Sequence, residues 1–274
     1  MKSFKIVASD LDGTLFNSRG EVSPENLAAI EALTRLGVHF VPSTGRTMQE
    51  VPSSIKENPN VRYFIHSNGA VVLDKLTGQR LERCLSRRQL DAILSAISSA
   101  EAHITVRYSG KTYCDAELNT EEDFGYYNMW GAHADILRNI AVKQTGFQAF
   151  LAEIENAEVI SVFFHDDGEL EECRERLLKI PSVNIAVAAD HNLEIFHSSA
   201  GKGASLHALA DMLGVEHGDT IAVGDSGNDL TIVEAAGLGL AVSNSCPELL
   251  AAADEVICSN DNHAIKFILE HYFK

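Results

Sequence analysis

The chain has 274 residues, of which 45% are hydrophobic, so it can bury a sizeable core as one large domain or two smaller ones. Its formal net charge of −17 disfavours nucleic acid as a partner and suits a metal cation or a small metabolite. We expect a soluble, unprocessed cytoplasmic protein with reduced thiols, because no apolar run is long enough for a membrane helix or a signal peptide and the five cysteines form no C-x-x-C pair.

The first 75 residues predict short strands that alternate with helices. A strand covers Phe4 to Ala8, and Ser23-Pro24 supplies an N-cap and a first-turn proline for a helix that ends at Gly37. Strands follow at His39 to Pro42 and at Tyr63 to Ile65, with a helical stretch between them after the letters GRTMQEV. This rhythm is typical of a parallel sheet flanked by helices.

The middle of the chain, residues 83 to 197, has a different pattern and predicts an inserted α+β domain. Its short neighbouring strands indicate antiparallel pairing. The aromatic stretch FGYYNMW could form a lid over a substrate, but packing inside the insert is the favoured interpretation. The predicted elements are helices at Arg88–Ser99 and Glu169–Leu178 and strands at His103–Tyr108, Thr112–Cys114, Val159–His165, Ile185–Ala188 and Leu193–Phe196.

The last 75 residues return to the first pattern, so we expect both chain ends to share one domain. Residues 1–82 and 198–274 would form a doubly wound α/β core with a parallel sheet, and residues 83–197 a cap joined to it by short hinges. The predicted elements are a helix at Lys202–Leu213 that ends at Gly214, strands at Thr220–Val223, Leu238–Val242 and Val256–Cys258, and helices at Leu230–Ala236 and from Ala264 onward.

Polar side chains stand where three strands of this core end: Asp10 and Asp12, then Ser43 and Thr44, then Asp225. The carboxyl ends of neighbouring parallel strands face one crevice, so these groups should converge there. Residues i and i+2 of an extended chain point to the same side, where the two aspartates would repel and raise each other's pKa. A hard divalent cation relieves that repulsion, and the sequence therefore predicts a Mg²⁺ site.

The same residues suggest phosphoryl chemistry. With a cation and Lys202 neutralising a bound phosphoryl group, one aspartate can attack phosphorus and the other can protonate the leaving oxygen. Gly13 would let the backbone turn beneath the phosphate. Lys202 begins a helix, where the dipole disfavours a cation, and this favours an anionic partner. Arg46 is either a phosphate or substrate contact or an ordinary surface arginine.

Four motifs resemble those of the haloacid dehalogenase superfamily of aspartate-nucleophile phosphohydrolases, in the same order. They are DLDGT, STGR, the lone lysine of SAGKGASL, and GDSGND. The first and last are specific when they occur together, whereas the other two are weak alone. The insert is similar to the α/β cap of the Cof-type, subclass IIB, sugar-phosphatase branch, so the resemblance covers essentially the whole chain.

The resemblance implies a role for each motif residue. Asp10 would be the nucleophile, and Asp12 the general acid and then the general base. Asp10, the backbone carbonyl of Asp12 and Asp225 would hold Mg²⁺, with Asn228 and Asp229 supporting these ligands or touching the substrate. Thr44 and Lys202 would bind the phosphate. We also expect Gly45, Arg46 and Asn228 among the phosphate- or substrate-binding residues.

The sequence therefore predicts a Mg²⁺-dependent phosphatase that acts on a small phosphomonoester, a sugar phosphate or related metabolite, through an aspartyl phosphate. One alternative is a phosphohexomutase of the same fold, which would return the phosphoryl group to a sugar. Another is a non-enzymatic signalling module that accepts a phosphoryl group on an aspartate, although the large insert and Asp12 count against it. We expect a small phosphorylated metabolite as partner, with no nucleic acid or membrane, and a monomer or weak homo-oligomer.

Overall fold

The computed structural model describes residues 4–186 and 190–273, and the chain divides into two compact units. The first unit contains the chain up to Arg46, the segment Val51–Glu82 and the chain from Ala200 onward. The second contains Thr47–Glu50 and Arg83–Ser199. The chain therefore crosses from one unit to the other four times, because a four-residue segment near the start belongs to the second unit.

The N-terminal part of the first unit begins with a buried strand and a well-capped helix. The Ser23 side chain accepts a hydrogen bond from the Asn26 backbone N–H, Pro24 takes the first helical position, and Gly37 follows the helix at φ +74°. The predicted helix is thus confirmed at both ends. The elements are β1 (Ile6–Ser9), α1 (Pro24–Arg35), β2 (His39–Pro42), α2 (Ser53–Lys56), β3 (Tyr63–His66), β4 (Val71–Asp74) and β5 (Arg80–Glu82).

The second unit is built on a six-stranded sheet, and its elements follow in chain order. They are β6 (Leu85–Ser86), α3 (Arg87–Ile97), β7 (Ala102–Tyr108), β8 (Lys111–Asp115), α4 (Glu121–Tyr126), α5 (Ala132–Asn139), β9 (Val142–Gln144), α6 (Phe147–Glu153), β10 (Asn156–Ala157), β11 (Val159–Phe164), α7 (Asp167–Leu177), β12 (Val183–Ala186) and β13 (Asn192–His197). The last two residues of the strand predicted at Ile185–Ala188 lie outside the described residues.

The six strands of this sheet lie in the order β12-β13-β11-β7-β8-β9. Pairing is antiparallel as predicted, except that β8 and β9 run parallel. Val106, Ile160 and Leu193 pack in one apolar cluster with α3 and α7. The segment Thr47–Glu50 forms hydrogen bonds with the rest of this unit.

Two side chains of that segment add to the hydrogen bond that the Gln49 N–H donates to the Gly110 carbonyl at 2.9 Å. The Glu50 carboxylate accepts a hydrogen bond from Thr112 Oγ1 at 2.5 Å, and Gln49 Nε2 donates to the Ile140 carbonyl at 2.7 Å. Glu50 is buried, so its carboxylate depends on such partners. The segment is therefore an integral part of the second unit.

The C-terminal part of the first unit contains α8 (Lys202–Leu213), β14 (Thr220–Gly224), α9 (Leu230–Ala235), β15 (Leu238–Val242), α10 (Pro247–Ala252), β16 (Glu255–Ile257) and α11 (Ala264–Tyr272). It completes a five-stranded parallel sheet in the order β16-β15-β14-β1-β2. All four residues of β1 are buried, as expected for a parallel strand covered on both faces. Ile6 and Ala8 pack in one cluster with Leu206 and Ile232 from the helices α8 and α9.

The doubly wound α/β core and the α+β insert are confirmed, with one correction. The third predicted strand, now β3, is not a full member of the parallel sheet: it meets the end of β2 only through a parallel bridge between Ser43 and Ile65. It pairs antiparallel with β4, and β4 with β5, in a separate three-stranded sheet. Within residues 4–186 and 190–273, no helix has the length and apolar character needed to cross a bilayer.

Candidate active site

The ends of three adjacent strands bring the first, second and fourth motifs together. β14, β1 and β2 are neighbours in the parallel sheet, and Asp10 directly follows β1. The Asp10 N–H donates to the Val223 carbonyl at 3.0 Å, and the Ser43 N–H donates to the Ser9 carbonyl at 2.8 Å. The backbone ladder thus continues past the strands and sets the starting points of the loops that contain Asp12, Thr44 and Asp225.

Asp10 lies buried beside a lysine from the third motif. Lys202, the first residue of α8, donates from Nζ to Asp10 Oδ1 at 2.7 Å and to Asp229 Oδ1 at 2.6 Å. The three side chains are between 0% and 7% exposed. One ammonium group therefore serves two carboxylates in a region that water hardly reaches.

The pKa values reflect this burial. Burial raises the pKa of Asp10 well above its usual range, and the Lys202 ammonium opposes that rise. Burial alone would lower the pKa of Lys202, but the carboxylates of Asp10 and Asp229 raise it above its usual value. Lys202 is thus held as a cation, and it favours the ionised form of Asp10.

Three aspartates form a compact cluster: Asp10, Asp225 and Asp229 each offer a carboxylate oxygen, and these atoms lie within 4.8 Å of one another. Burial raises the pKa of Asp225 to about 6, although Thr14 Oγ1 donates to its Oδ1 at 2.9 Å and acts in the opposite sense. With a single ammonium among three carboxylates, the cluster has an excess of negative charge. Oxygen ligands in such a cluster suit a hard divalent cation.

Asp229 is fixed by the backbone of its own motif. Its Oδ2 accepts hydrogen bonds from the N–H groups of Asp225 at 3.1 Å and Ser226 at 3.2 Å. The side chain therefore ties the loop after β14 to Lys202. Asp229 belongs to the carboxylate cluster, whereas the Asp12 side chain pairs with Arg46.

Asp12 makes a two-pronged ion pair with Arg46. Arg46 donates from Nε and from Nη2 to the two carboxylate oxygens, both at 2.7 Å. The Asp12 side chain is 55% exposed, in contrast to the buried Asp10. The Arg46 N–H also donates to Thr44 Oγ1 at 3.1 Å, so the second motif reaches the first through its arginine.

The turn that contains both aspartates depends on a glycine. Gly13 has φ +77°, and a Cβ at this position would lie 2.5 Å from Asp225 Oδ2. The Phe16 N–H donates to the Leu11 carbonyl at 2.8 Å and closes the turn. Only glycine allows both this backbone conformation and the close approach of Asp225.

Asn68 links the second and fourth motifs. A Cβ on Gly45 would lie 2.9 Å from Asn68 Oδ1, and Asn228 Nδ2 donates to the same oxygen at 3.4 Å. Asn68 has φ +54°, and its N–H donates to the Thr44 carbonyl at 3.1 Å. Asn68 therefore lies beside Thr44, Gly45 and Asn228.

Sequence reasoning missed two contributors to this site. Thr14 belongs to the DLDGT motif but was given no role, and its buried hydroxyl bonds to Asp225. Asn244, after β15, donates from Nδ2 to the Gly13 carbonyl at 2.8 Å. Its position at the end of a parallel strand was the available signal, since such ends line the crevice.

Comparisons with known proteins place the whole chain beside one family. Residues 7–269 match the profile of the haloacid dehalogenase-like hydrolases. The chain is 30% identical to a protein of Bacillus subtilis strain 168 named phosphatase YwpJ, and the match covers 97% of this chain and 99% of that protein. It is 28% identical to 5-amino-6-(5-phospho-D-ribitylamino)uracil phosphatase YwtE of the same organism, over 97% of each chain.

Solved structures share the fold. A haloacid dehalogenase-like hydrolase from B. subtilis superposes with a TM-score of 0.77 at 28% identity, covering 98% of this chain and 99% of the other. The structure of TM0651 from Thermotoga maritima gives a TM-score of 0.82 at 23% identity over 97% of each chain, and this likeness concerns the fold alone. The same is true of BT4131, described as a subclass IIB sugar phosphatase, with a TM-score of 0.79 at 19% identity, covering 98% of this chain and 99% of that chain.

Proposed function

Since the chain belongs to the haloacid dehalogenase-like hydrolases, we propose that it is a Mg²⁺-dependent phosphatase that cleaves a small phosphomonoester through an aspartyl phosphate on Asp10. The predicted family resemblance is confirmed, and the chain is an enzyme of the phosphoric monoester hydrolase class. The named substrate of YwtE supports a phosphorylated metabolite, such as a sugar phosphate or a related compound, as the substrate.

The buried Asp10 carboxylate beside Lys202 carries this proposal. A carboxylate is a weak nucleophile and must be ionised to attack phosphorus. The 2.7 Å ion pair favours the ionised form even though burial raises the pKa of Asp10. The same ammonium can neutralise a phosphoryl oxygen that approaches Asp10, so Lys202 would serve both reactants.

The carboxylate cluster fits a magnesium ion. Asp10, Asp225 and the backbone carbonyl of Asp12 would hold it, and Asp229 would support the ligands through its bonds to the loop after β14. Among the described side-chain contacts, Asp225 Oδ2 accepts no hydrogen bond and so remains available as a ligand. When bound, the ion would supply positive charge to the phosphoryl oxygens and lower their repulsion of the nucleophile.

In the first step, an Asp10 carboxylate oxygen forms a bond to phosphorus while the bond from phosphorus to the leaving oxygen breaks. That oxygen receives a proton from Asp12, which must therefore first leave its ion pair with Arg46 and take up a proton from solvent. The arginine fork suits a phosphoryl group as well as it suits a carboxylate. We infer that Arg46 exchanges Asp12 for the substrate.

In the second step, the Asp12 carboxylate takes a proton from a water molecule that attacks the phosphorus of the aspartyl phosphate. The bond between Asp10 and phosphorus breaks, inorganic phosphate leaves, and both aspartates return to their starting states.

Thr44, Gly45 and Asn228 would bind the phosphate or the substrate, since they surround the same strand ends. Residues 83–197 would act as the cap that selects the substrate and excludes water from the intermediate.

Phosphate release from a panel of phosphomonoesters, measured with Mg²⁺ and with a chelator, tests the proposal. Release should require the metal and should be abolished in Asp10→Asn, while Asp211→Asn, which alters an exposed aspartate of the same unit, should behave as the parent. Mass spectrometry of Asp12→Asn after brief exposure to substrate should find a phosphoryl group on Asp10. Metal-independent release, or activity retained in Asp10→Asn, would overturn the mechanism. Phosphoryl return to a sugar without release would favour the mutase.

A further inference from the structure

We propose that Asn244 is a positioning residue, which holds the peptide group between Gly13 and Thr14 in the turn that contains the nucleophile. Its effect on the reaction rests on the proposed function. Asn244 Nδ2 donates to the Gly13 carbonyl at 2.8 Å, and its Oδ1 accepts from the Asn260 N–H at 3.0 Å. The one side chain thus connects the turn after β1 with the loops after β15 and β16.

The peptide group that follows Gly13 needs such a partner. Glycine populates positive and negative φ with similar ease, so its backbone offers little resistance to rotation of the adjoining peptide. On the far side of that peptide, the buried Thr14 is fixed by its 2.9 Å bond to Asp225. Asn244 fixes the carbonyl on the near side. Together the two bonds hold one orientation of this peptide, which begins one residue after Asp12 and three after Asp10.

The residues that follow the turn are also hydrogen-bonded to the loop after β16. Asn260 Nδ2 donates to the Phe16 carbonyl at 2.9 Å, and the Ser18 N–H donates to Asp261 Oδ1 at 2.8 Å. The loop after β16 therefore fixes the backbone just beyond the turn through two hydrogen bonds. Since Asn244 bonds to the backbone of Asn260, the two loops brace the turn as one connected structure.

The orientation of this turn sets where the two aspartates meet phosphorus. A displacement of about 1 Å in a reacting group can lower a rate by about a hundredfold. Asn244 supplies a single neutral and exposed hydrogen bond, so we expect a smaller loss, about tenfold in kcat. KM should change less than about twofold, because the bond places reacting groups and does not itself touch the substrate.

Asn244→Asp is the sharpest variant, since it keeps the shape and the acceptor for Asn260 but replaces the donor to Gly13 by a carboxylate oxygen. Its kcat should fall about tenfold at neutral pH, and the deficit relative to the parent should shrink on acidification, because a protonated carboxyl can again donate. Asn262→Asp is the matched control: the Asn262 side chain donates from Nδ2 to Ser259 Oγ at 2.8 Å, and its variant should keep the parent kcat.

Hydrogen exchange tests whether Asn244 holds the turn, independently of the proposed reaction. Hydrogen exchange of the backbone amides in residues 11–16 should speed up in Asn244→Asp, with the free energy of unfolding and the exchange in β14 unchanged. An exchange rate and a kcat equal to those of the parent would overturn the inference, as would a loss that persists unchanged at acidic pH or appears equally in Asn262→Asp. If the parent releases no phosphate, the proposed function fails, while the exchange measurement still decides whether Asn244 holds the turn.

Discussion

Replacement of Lys202 by methionine tests the electrostatic basis of the site. Methionine has a similar length and no charge, so Lys202→Met removes the ammonium and keeps much of the volume. The variant leaves Asp10, 6% exposed, and Asp229, fully buried, without their shared cation. Lys266→Met, which alters a half-exposed lysine of the same unit, is the matched control.

The expected magnitude follows from the burial of the pair. Removal of one partner from a buried ion pair costs about 3–5 kcal/mol, because the remaining charge keeps its desolvation penalty and loses its attraction. A second change, Asp10→Asn, should recover about half of that loss, since Asp229 retains two backbone N–H donors. Lys266→Met should cost less than about 1 kcal/mol, as expected for a surface ion pair.

Urea unfolding followed by far-ultraviolet circular dichroism measures these differences in unfolding free energy, provided that the denaturant slope stays constant.

The stability deficit of Lys202→Met should depend on pH, and the sign of that dependence follows from the ionisation of the carboxylates. Loss of the ammonium raises the pKa of Asp10 further, so the folded variant resists ionisation of Asp10 more than the unfolded chain does. The deficit should therefore be small at acidic pH and should grow as the pH rises toward neutrality.

A double-mutant cycle identifies the cause. The coupling free energy between positions 10 and 202 should be large and of stabilising sign, because both groups lie in direct contact. If Lys202→Met were as stable as the parent at neutral pH, or if Asp10→Asn failed to relieve its deficit, the assignment of Lys202 as the counter-ion of the buried carboxylates would be wrong.

Three further substitutions probe the turn, the exposed pair and a distant buried carboxylate. Gly13→Ala should abolish phosphatase activity, because its Cβ would lie 2.5 Å from an Asp225 oxygen and the φ of +77° is strained for alanine. Arg46→Ala should raise KM by at least about tenfold, while the unfolding free energy changes by less than about 1 kcal/mol, since the Asp12 side chain of the pair is 55% exposed. Asp74→Asn should lower stability at neutral pH, and that deficit should shrink progressively as the pH falls below about 4, because a neighbouring guanidinium holds the pKa of Asp74 well below its usual range.

Each of these has its own control and contrary result. Gly78 shares a positive φ of +74° with open space around it, so Gly78→Ala should leave phosphate release intact; equal losses at both glycines would point to backbone strain alone. Arg46→Lys should resemble the alanine variant, because a lysine cannot make the two-pronged contact. A deficit for Asp74→Asn that stayed constant from neutral to acidic pH would exclude the ion pair as its cause.

Local chemistry explains why so much of the core was predictable. The limits of α8 followed from Lys202 and from the helix-ending Gly214, which has φ +65°. The convergence of the strand-end residues followed from parallel topology, and the structure brings Asp10, Thr44 and Asp225 to adjacent strand ends. These features depend on residues close together in sequence or on a rule that holds for every parallel sheet.

Features that depend on distant partners were not predictable. β3 lies at an apolar segment whose length and composition also suit a parallel strand, and its antiparallel partners β4 and β5 are short. The bond from Asn244 to Gly13 joins residues 231 positions apart, and the Arg46 pair with Asp12 joins residues 34 apart. Propensity and spacing contain no information about such contacts.

The four crossings of the chain also determine how this protein could be recombined with its relatives. A chimaera planned from the sequence would transplant residues 83–197 and leave Thr47–Glu50 behind. The graft would then arrive without the carboxylate that Thr112 contacts at 2.5 Å. A stable chimaera has to include Thr47–Glu50 as well, and this segment begins one residue after Arg46. Residues 47–50 and 83–199 of this chain would therefore have to be exchanged together, although they are separated in the sequence.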